Sequence, residues 1–197
     1  SFLVLVSFSG RATELSVQPI ERLRVASYNV LFDTFEADRL HTAQRLPHIV
    51  SLVLSSGADV IALQEVTPFV LRYILQQPAV RAQYWASDSP RALHCSPYGQ
   101  LLLSRWPFQC RVARFSRAKM AVVAALALAL GSSERTVGVC GVHLTSNYQD
   151  HQDGRDGVKV DAQARRALQL GWCMAELSRY DSALIVGDFN YDVDEDL

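Results

Sequence analysis

Asp188 and Asn190 close the stretch DSALIVGDFN at positions 181–190. They follow the apolar run 183–186, of the kind a buried strand uses, and Gly187, where the backbone can turn sharply. Two positions apart in an extended chain, their side chains share a face. A carboxylate beside an amide at the mouth of a buried strand can bind or deprotonate a water and hold an oxyanion. The same pattern also describes an ordinary strand and turn. Three further polar residues end predicted strands. Asn29 lies near the end of 23–32, LRVASYNVLF; Asn is depleted in strands, so it either makes a local turn or serves chemistry. Glu65 follows ADVIAL at 58–63, and such a charge either faces solvent or must be paired or coordinate something. His143 stands at the end of 136–144.

Glu65 and Asn29 offer oxygen ligands. A hard cation that keeps most of its water, such as Mg²⁺, takes one or two protein oxygens plus phosphate oxygens. No Cys/His cluster argues for zinc. Asp188 could act as general base on a water attacking phosphorus. Asn190 could orient that water or stabilise the phosphorane, and His143 could donate to a phosphate oxygen. Metal-assisted hydrolysis of a phosphoester uses these parts.

Strands must deliver these residues to one edge. Residues 23–32 alternate, with Val25, Ser27 and Asn29 on one face and Ala26, Tyr28 and Val30 on the other, and predict a strand. Residues 38–55 space Leu40, Ala43, Leu46, Ile49, Val50, Val53 and Leu54 by threes and fours, which predicts an amphipathic helix. Pro47 bends that helix or marks a later start. Residues 58–63 predict a second buried strand, 69–77 a helix, and 98–104 a third strand. Residues 121–130 and 136–144 predict a strand pair around the turn Gly131-Ser132-Ser133. Residues 78–97 read as irregular, and the polar stretch 146–159, SNYQDHQDGRDGVK, as a long loop. Residues 160–177 return to helical spacing. Polar residues at like ends of strands in one sheet can meet at a common edge.

The chain has 197 residues, 49% of them hydrophobic, and a formal net charge of −1. That is one large domain or two small ones with ample core, and no strong field or basic tail for nucleic acid. Arg111, Arg114, Arg117 and Lys119 form either a solvated edge strand or, lining a groove, a phosphate-contact region. Cys95, Cys110, Cys140 and Cys173 contain no CxxC pair and read as reduced, mostly buried thiols of an intracellular protein. The apolar run 2–8 is a strand, because a membrane span needs roughly 20 residues; no span is expected, and oligomeric state is not indicated. Residues 10–23 read as a connector. The stretch 188–194 mimics the start of a calcium loop, but Val193 stands where that loop needs glycine.

SYNVLFD at 27–33, DVIALQEV at 59–66, YGQLLLSRWP at 98–107, VHLTS at 142–146 and IVGDFN at 185–190 resemble, in order, motifs of the endonuclease/exonuclease/phosphatase superfamily. The resemblance covers about residues 24–197, leaving 1–23 as an N-terminal strand and connector that can belong to a preceding module. It implies an α/β fold, the four-layered α-β-β-α sandwich of DNase I-like proteins. It also implies a Mg²⁺-dependent (or Mn²⁺-dependent) phosphodiesterase or phosphatase acting on nucleic acid or another phosphodiester. By motif, Asn29 and Glu65 match the metal-site pair, His143 the phosphate-site histidine, and Asp188 and Asn190 the water-activating pair. QEVTP at 64–68 and Tyr98 are similar to the tyrosyl-DNA phosphodiesterase 2 branch, where Tyr98 would face substrate; in the bare sequence Tyr98 is equally a core residue. SRAKM at 116–120 is loosely similar to the same branch and adds Lys119 to the substrate side. SYNVLFD is closer to the deadenylase-like branch. The family closes with a Ser-Asp-His motif, and this sequence has none, so the fold is expected to be incomplete at the C-terminus and the chain alone inactive or nearly so. The alternative is a catalytically silent sandwich domain that binds RNA or protein.

Overall fold

The computed structural model describes residues 2–4, 17–32, 37–116, 119–130, 133–146 and 162–191. The expected connector 10–16, Arg117, the Gly131-Ser132 turn, nearly all of the loop expected at 146–159 and the acidic stretch 192–197 lie outside them.

Two sheets carry the fold. In the first, β3 (Val25–Asn29) runs parallel to β4 (Val60–Val66), β4 pairs antiparallel with β6 (Gly99–Ser104), and β6 pairs with β5 (Trp85–Ala86). In the second, the order is β1 (Phe2–Val4), β7 (Gln109–Arg114), β8 (Met120–Leu130), β9 (Ser133–His143), β10 (Ser182–Asp188). β7 covers Met120–Ala125 of β8, and β2 (Gln18–Ile20) covers Leu128–Leu130 further along it.

Period-two alternation explains how two faces are served at once. On β8 and β9, Val122, Ala124, Leu126, Val137 and Val139 face Val60, Ala62 and Leu102 of the other sheet. The intervening Ala121, Val123, Cys140 and Val142 face Cys173 and Leu177 of α5 (Ala162–Leu177). On the first sheet, Ile61, Leu63, Leu101 and Leu103 pack under α2 (Thr42–Ser55), α3 (Pro68–Gln76) and α4 (Pro78–Gln83). The layers therefore run helices, sheet, sheet, helix. Side chains such as Leu63 and Leu126, 0% and 1% exposed, each contribute about 1.5–3 kcal/mol by leaving water.

Four expectations change. The stretch 78–97 holds α4 and β5, elements too short to show a period. The supposed connector 10–23 contains β2. The cationic stretch 111–119 is not an edge, because β1 pairs Phe2–Val4 with Cys110–Val112 of β7. The helix expected from 38 is broken at His41, whose φ of 49° sits in the left-handed region, separating α1 (Ala37–Leu40) from α2. Pro47 is accommodated inside α2.

Candidate active site

Parallel pairing sets the site. Asn29 is opposite Gln64 on β3 and β4, and Asp188 is opposite His143 on β10 and β9. All four strands end at one rim of the sandwich. β8 runs against β9, so its start, Met120, lies opposite His143 and brings Lys119 to the same rim.

Backbone strain marks these ends. Leu31, Glu65 and Asn190 have φ of 60°, 60° and 48°, uncommon for residues with a Cβ and concentrated in proteins at sites that need a side chain re-aimed. Glu65 occupies a register shift between Leu63 and Val66, where an extra residue bends β4 and turns the carboxylate into the rim. Gly187, at φ 143°, lies so close to β9 that a Cβ would stand 2.0 Å from the Val142 carbonyl oxygen.

Asn29 ties the acids together. Its Nδ2 donates to Glu65 Oε1 at 3.0 Å and Asp188 Oδ2 at 2.9 Å, while its Oδ1 accepts from the Leu31 N–H at 2.9 Å. Glu65 Oε2 accepts from the Phe32 N–H at 3.0 Å. Asp188 Oδ1 accepts from the Asn190 N–H at 3.0 Å, and Asn190 Nδ2 donates to the Leu144 carbonyl at 2.9 Å. His143 Nε2 lies 3.7 Å from Glu65 Oε1 and 3.8 Å from Asp188 Oδ2. Donor atoms of Glu65, His143 and Asp188 all fall within 4.8 Å of one another.

Lys119 Nζ stands 2.6 Å from His143 Nε2, with Lys119 only 3% exposed. Burial pushes the lysine down to about 8, against the pull of the Glu65 and Asp188 carboxylates. Burial, then the Lys119 charge, push His143 down to about 4, with Asp188 opposing. A neutral imidazole facing an ammonium accepts through Nε2 and keeps its proton on Nδ1, an atom that is buried and has no hydrogen-bond partner among the described residues. For Asp188, burial raises the carboxyl, but the bonds from Asn29 and Asn190 and the His143 and Lys119 charges outweigh it, and the net direction is down.

An open cleft of about 430 Å³ lies over the rim, lined in part by Ser27, Tyr28, Asn29, Gln64, Asp188 and Asn190. Tyr98 flanks Glu65 and stacks on Phe32, ring centroids 4.4 Å apart and planes 9° off parallel. Burial and then the Glu65 charge raise its hydroxyl. So Asn29, Glu65, His143, Asp188, Asn190 and Lys119 meet at one place, with Tyr98 on its flank. The other described cations of the 111–119 run turn away: Arg111 pairs with Glu176 at 3.2 Å, and Arg114 donates to the His94 carbonyl at 2.6 Å. Supporting residues carried no sequence signal. Arg45 of α2 donates to the Val30 and Leu31 carbonyls at 3.0 and 3.1 Å, fixing the turn after Asn29. Gln169 of α5 grips Thr145 through its N–H and hydroxyl at 3.0 and 2.8 Å, two residues beyond His143.

A sequence profile of the Endonuclease/Exonuclease/phosphatase family matches residues 26–197. The chain belongs to that family. No curated protein sequence matches it. Among solved structures it is similar to zebrafish (D. rerio) TDP2 complexed with single-strand DNA product, at 20% identity and TM-score 0.59, covering 86% of this chain and 61% of that one. TDP2 from C. elegans gives 20% and 0.62, covering 89% and 49%. ANGEL2, described as a 2′,3′-cyclic phosphatase, gives 18% and 0.61, covering 87% and 53%. At these identities the likeness is one of fold, and the chain spans about half to three-fifths of these structures. The family's two-sheet α/β fold is the one found here. No described helix is long and apolar enough to cross a membrane, and the four cysteines are free and buried.

Proposed function

We propose that this chain forms the core of a divalent-cation-dependent phosphoester hydrolase, intracellular, acting on nucleic acid or a nucleic-acid adduct by in-line attack of water. The observation that carries the reading is the cluster itself: two carboxylates and an imidazole within 4.8 Å, laced by Asn29 and faced by a buried lysine. The donor set suits a hard ion. Glu65 and Asp188 offer oxygens, as Mg²⁺ or Mn²⁺ prefers. His143 is a poorer ligand, because its Nε2 already accepts from Lys119. Glu65, with Asn29 beside it, would hold the cation, which when bound supplies Lewis-acid polarisation of the phosphoryl group.

The protein's own groups do the remainder. Asp188 is ionised at neutral pH and accepts the proton of the attacking water. The Asn190 N–H holds that carboxylate in place. Lys119 meets the negative charge of the phosphate. His143 is neutral at rest; an anionic phosphate against it favours the imidazolium, which then donates to a phosphate oxygen. Tyr98 and Phe32 stack on the Glu65 side of the cluster. The family membership and the fold shared with TDP2 and ANGEL2 support phosphoester chemistry, and the single-strand DNA product bound to zebrafish TDP2 favours a nucleic-acid substrate.

The test is turnover of bis(4-nitrophenyl) phosphate and of a single-stranded oligonucleotide by the whole protein with Mg²⁺. Glu65→Gln and Asp188→Asn are each expected to lower kcat at least about a hundredfold. Unchanged turnover in both variants would overturn the mechanism. Absence of turnover in the wild type would favour a silent binding domain.

A further inference from the structure

Asp88 is 1% exposed, yet it lies in a loop and takes no part in the cluster above. Its carboxylate accepts four backbone N–H groups. Ser89 and Leu93 donate to Oδ1 at 2.7 and 3.0 Å; His94 and Cys95 donate to Oδ2 at 2.8 and 2.9 Å. A carboxylate can be buried only when its lone pairs are met, and here both oxygens are met twice. The loop is thus wound around one side chain. It is also pressed onto β6 and β8: a Cβ on Gly99 would meet the His94 carbonyl oxygen at 2.5 Å and Met120 Sδ at 2.8 Å. Arg114 of β7 grips the His94 carbonyl from outside. The chain leaves this knot at Tyr98, whose ring stacks on Phe32 beside Glu65.

We infer that Asp88 is a positioning residue of the site: by winding residues 89–95 around its carboxylate it holds Tyr98 against Phe32 and so fixes the aromatic pair beside Glu65 that substrate meets. The kinetic consequence rests on the hydrolase reading; the placement of Tyr98 does not. Asparagine at 88 has one acceptor oxygen and sets an NH₂ group against two of the four N–H donors. The loop must then re-form, and Tyr98 moves with it.

The experiment labels the protein with 3-fluorotyrosine and follows ¹⁹F resonances, with Tyr98 assigned by Tyr98→Phe. In Asp88→Asn the Tyr98 resonance is expected to move toward that of free fluorotyrosine, while the Tyr180 resonance stays. Arg114→Met, which loosens the same loop from its surface, is expected to give a smaller shift in the same direction, and serves if Asp88→Asn does not fold. With bis(4-nitrophenyl) phosphate and Mg²⁺, Asp88→Asn should raise KM about tenfold and leave kcat within about twofold. In a Tyr98→Leu background the same substitution should leave KM unchanged, since its effect passes through Tyr98. A Tyr98 resonance that stays put in the folded variants overturns the inference. So does a KM effect that persists without Tyr98. A shifted resonance in a protein that turns over no phosphodiester supports the role of Asp88 and rejects the hydrolase reading instead.

Discussion

Replacing Lys119 with methionine should make the cation-free protein more stable and its phosphate contact weaker. Lys119 is 3% exposed, and burial lowers its ammonium from 10.5 to about 8. Each tenfold loss of proton affinity corresponds to about 1.4 kcal/mol, so folding carries a penalty of about 3 kcal/mol for charged Lys119. The direction follows from linkage. The unfolded chain binds this proton more tightly than the folded one, so the full penalty applies below about pH 8 and fades as pH rises toward 10.5. Methionine has similar length and no charge, and removes the penalty. At roughly 2–4 °C per kcal/mol for a chain of this size, melting should rise by about 6–12 °C at pH 7. The assay is thermal unfolding followed by circular dichroism in EDTA at pH 7, with urea unfolding at pH 7 and pH 10. The variant's advantage should shrink at pH 10, while the whole protein loses most of its phosphodiester turnover. A variant that melts below the wild type at pH 7, or an advantage equal at both pH values, refutes the reasoning.

Gly187→Ala should prevent stable folding, because its Cβ would lie 2.0 Å from the Val142 carbonyl oxygen in a backbone conformation alanine avoids; loss of the thermal transition checks this, and a wild-type melt contradicts it. Asn29→Ala removes donors to both carboxylates and should destabilise the cation-free protein by about 3 kcal/mol, most of it recovered in Mg²⁺. Asp188 is held below its ordinary value, so it contributes stability at neutral pH that is lost as pH falls through that lowered value. Unfolding curves from pH 6 down should show that loss in the wild type and a smaller one in Asn29→Ala.

The rim was legible wherever an apolar run closes on a polar residue. Asn29, Glu65, His143 and Asp188 each end such a run, and strand ends in a layered α/β fold gather by geometry. Lys119 was harder to read, because it shares a stretch with Arg111 and Arg114, which serve the surface. The partnership of Lys119 with His143 follows only from the antiparallel pairing of β8 and β9. Nothing in the sequence marks the left-handed backbone at Glu65, since any residue type can be forced there by the strands around it. Nothing in the sequence sets Asp88 apart within 78–97; its burial depends on four N–H groups converging, which composition does not record. Elements as short as β2, β5 and α4 show no period, and tertiary pairing alone defines them.

Glu65, with Asn29 beside it, is expected to hold one hydrated divalent ion next to the Asp188 carboxylate. Titration of Mn²⁺ into residues 1–197, followed by its electron paramagnetic resonance signal, tests this without requiring turnover. One site is expected, competed by Mg²⁺, weakened at least about tenfold by Glu65→Gln and less by Asp188→Asn. No bound Mn²⁺, or equal binding in all three proteins, would contradict it.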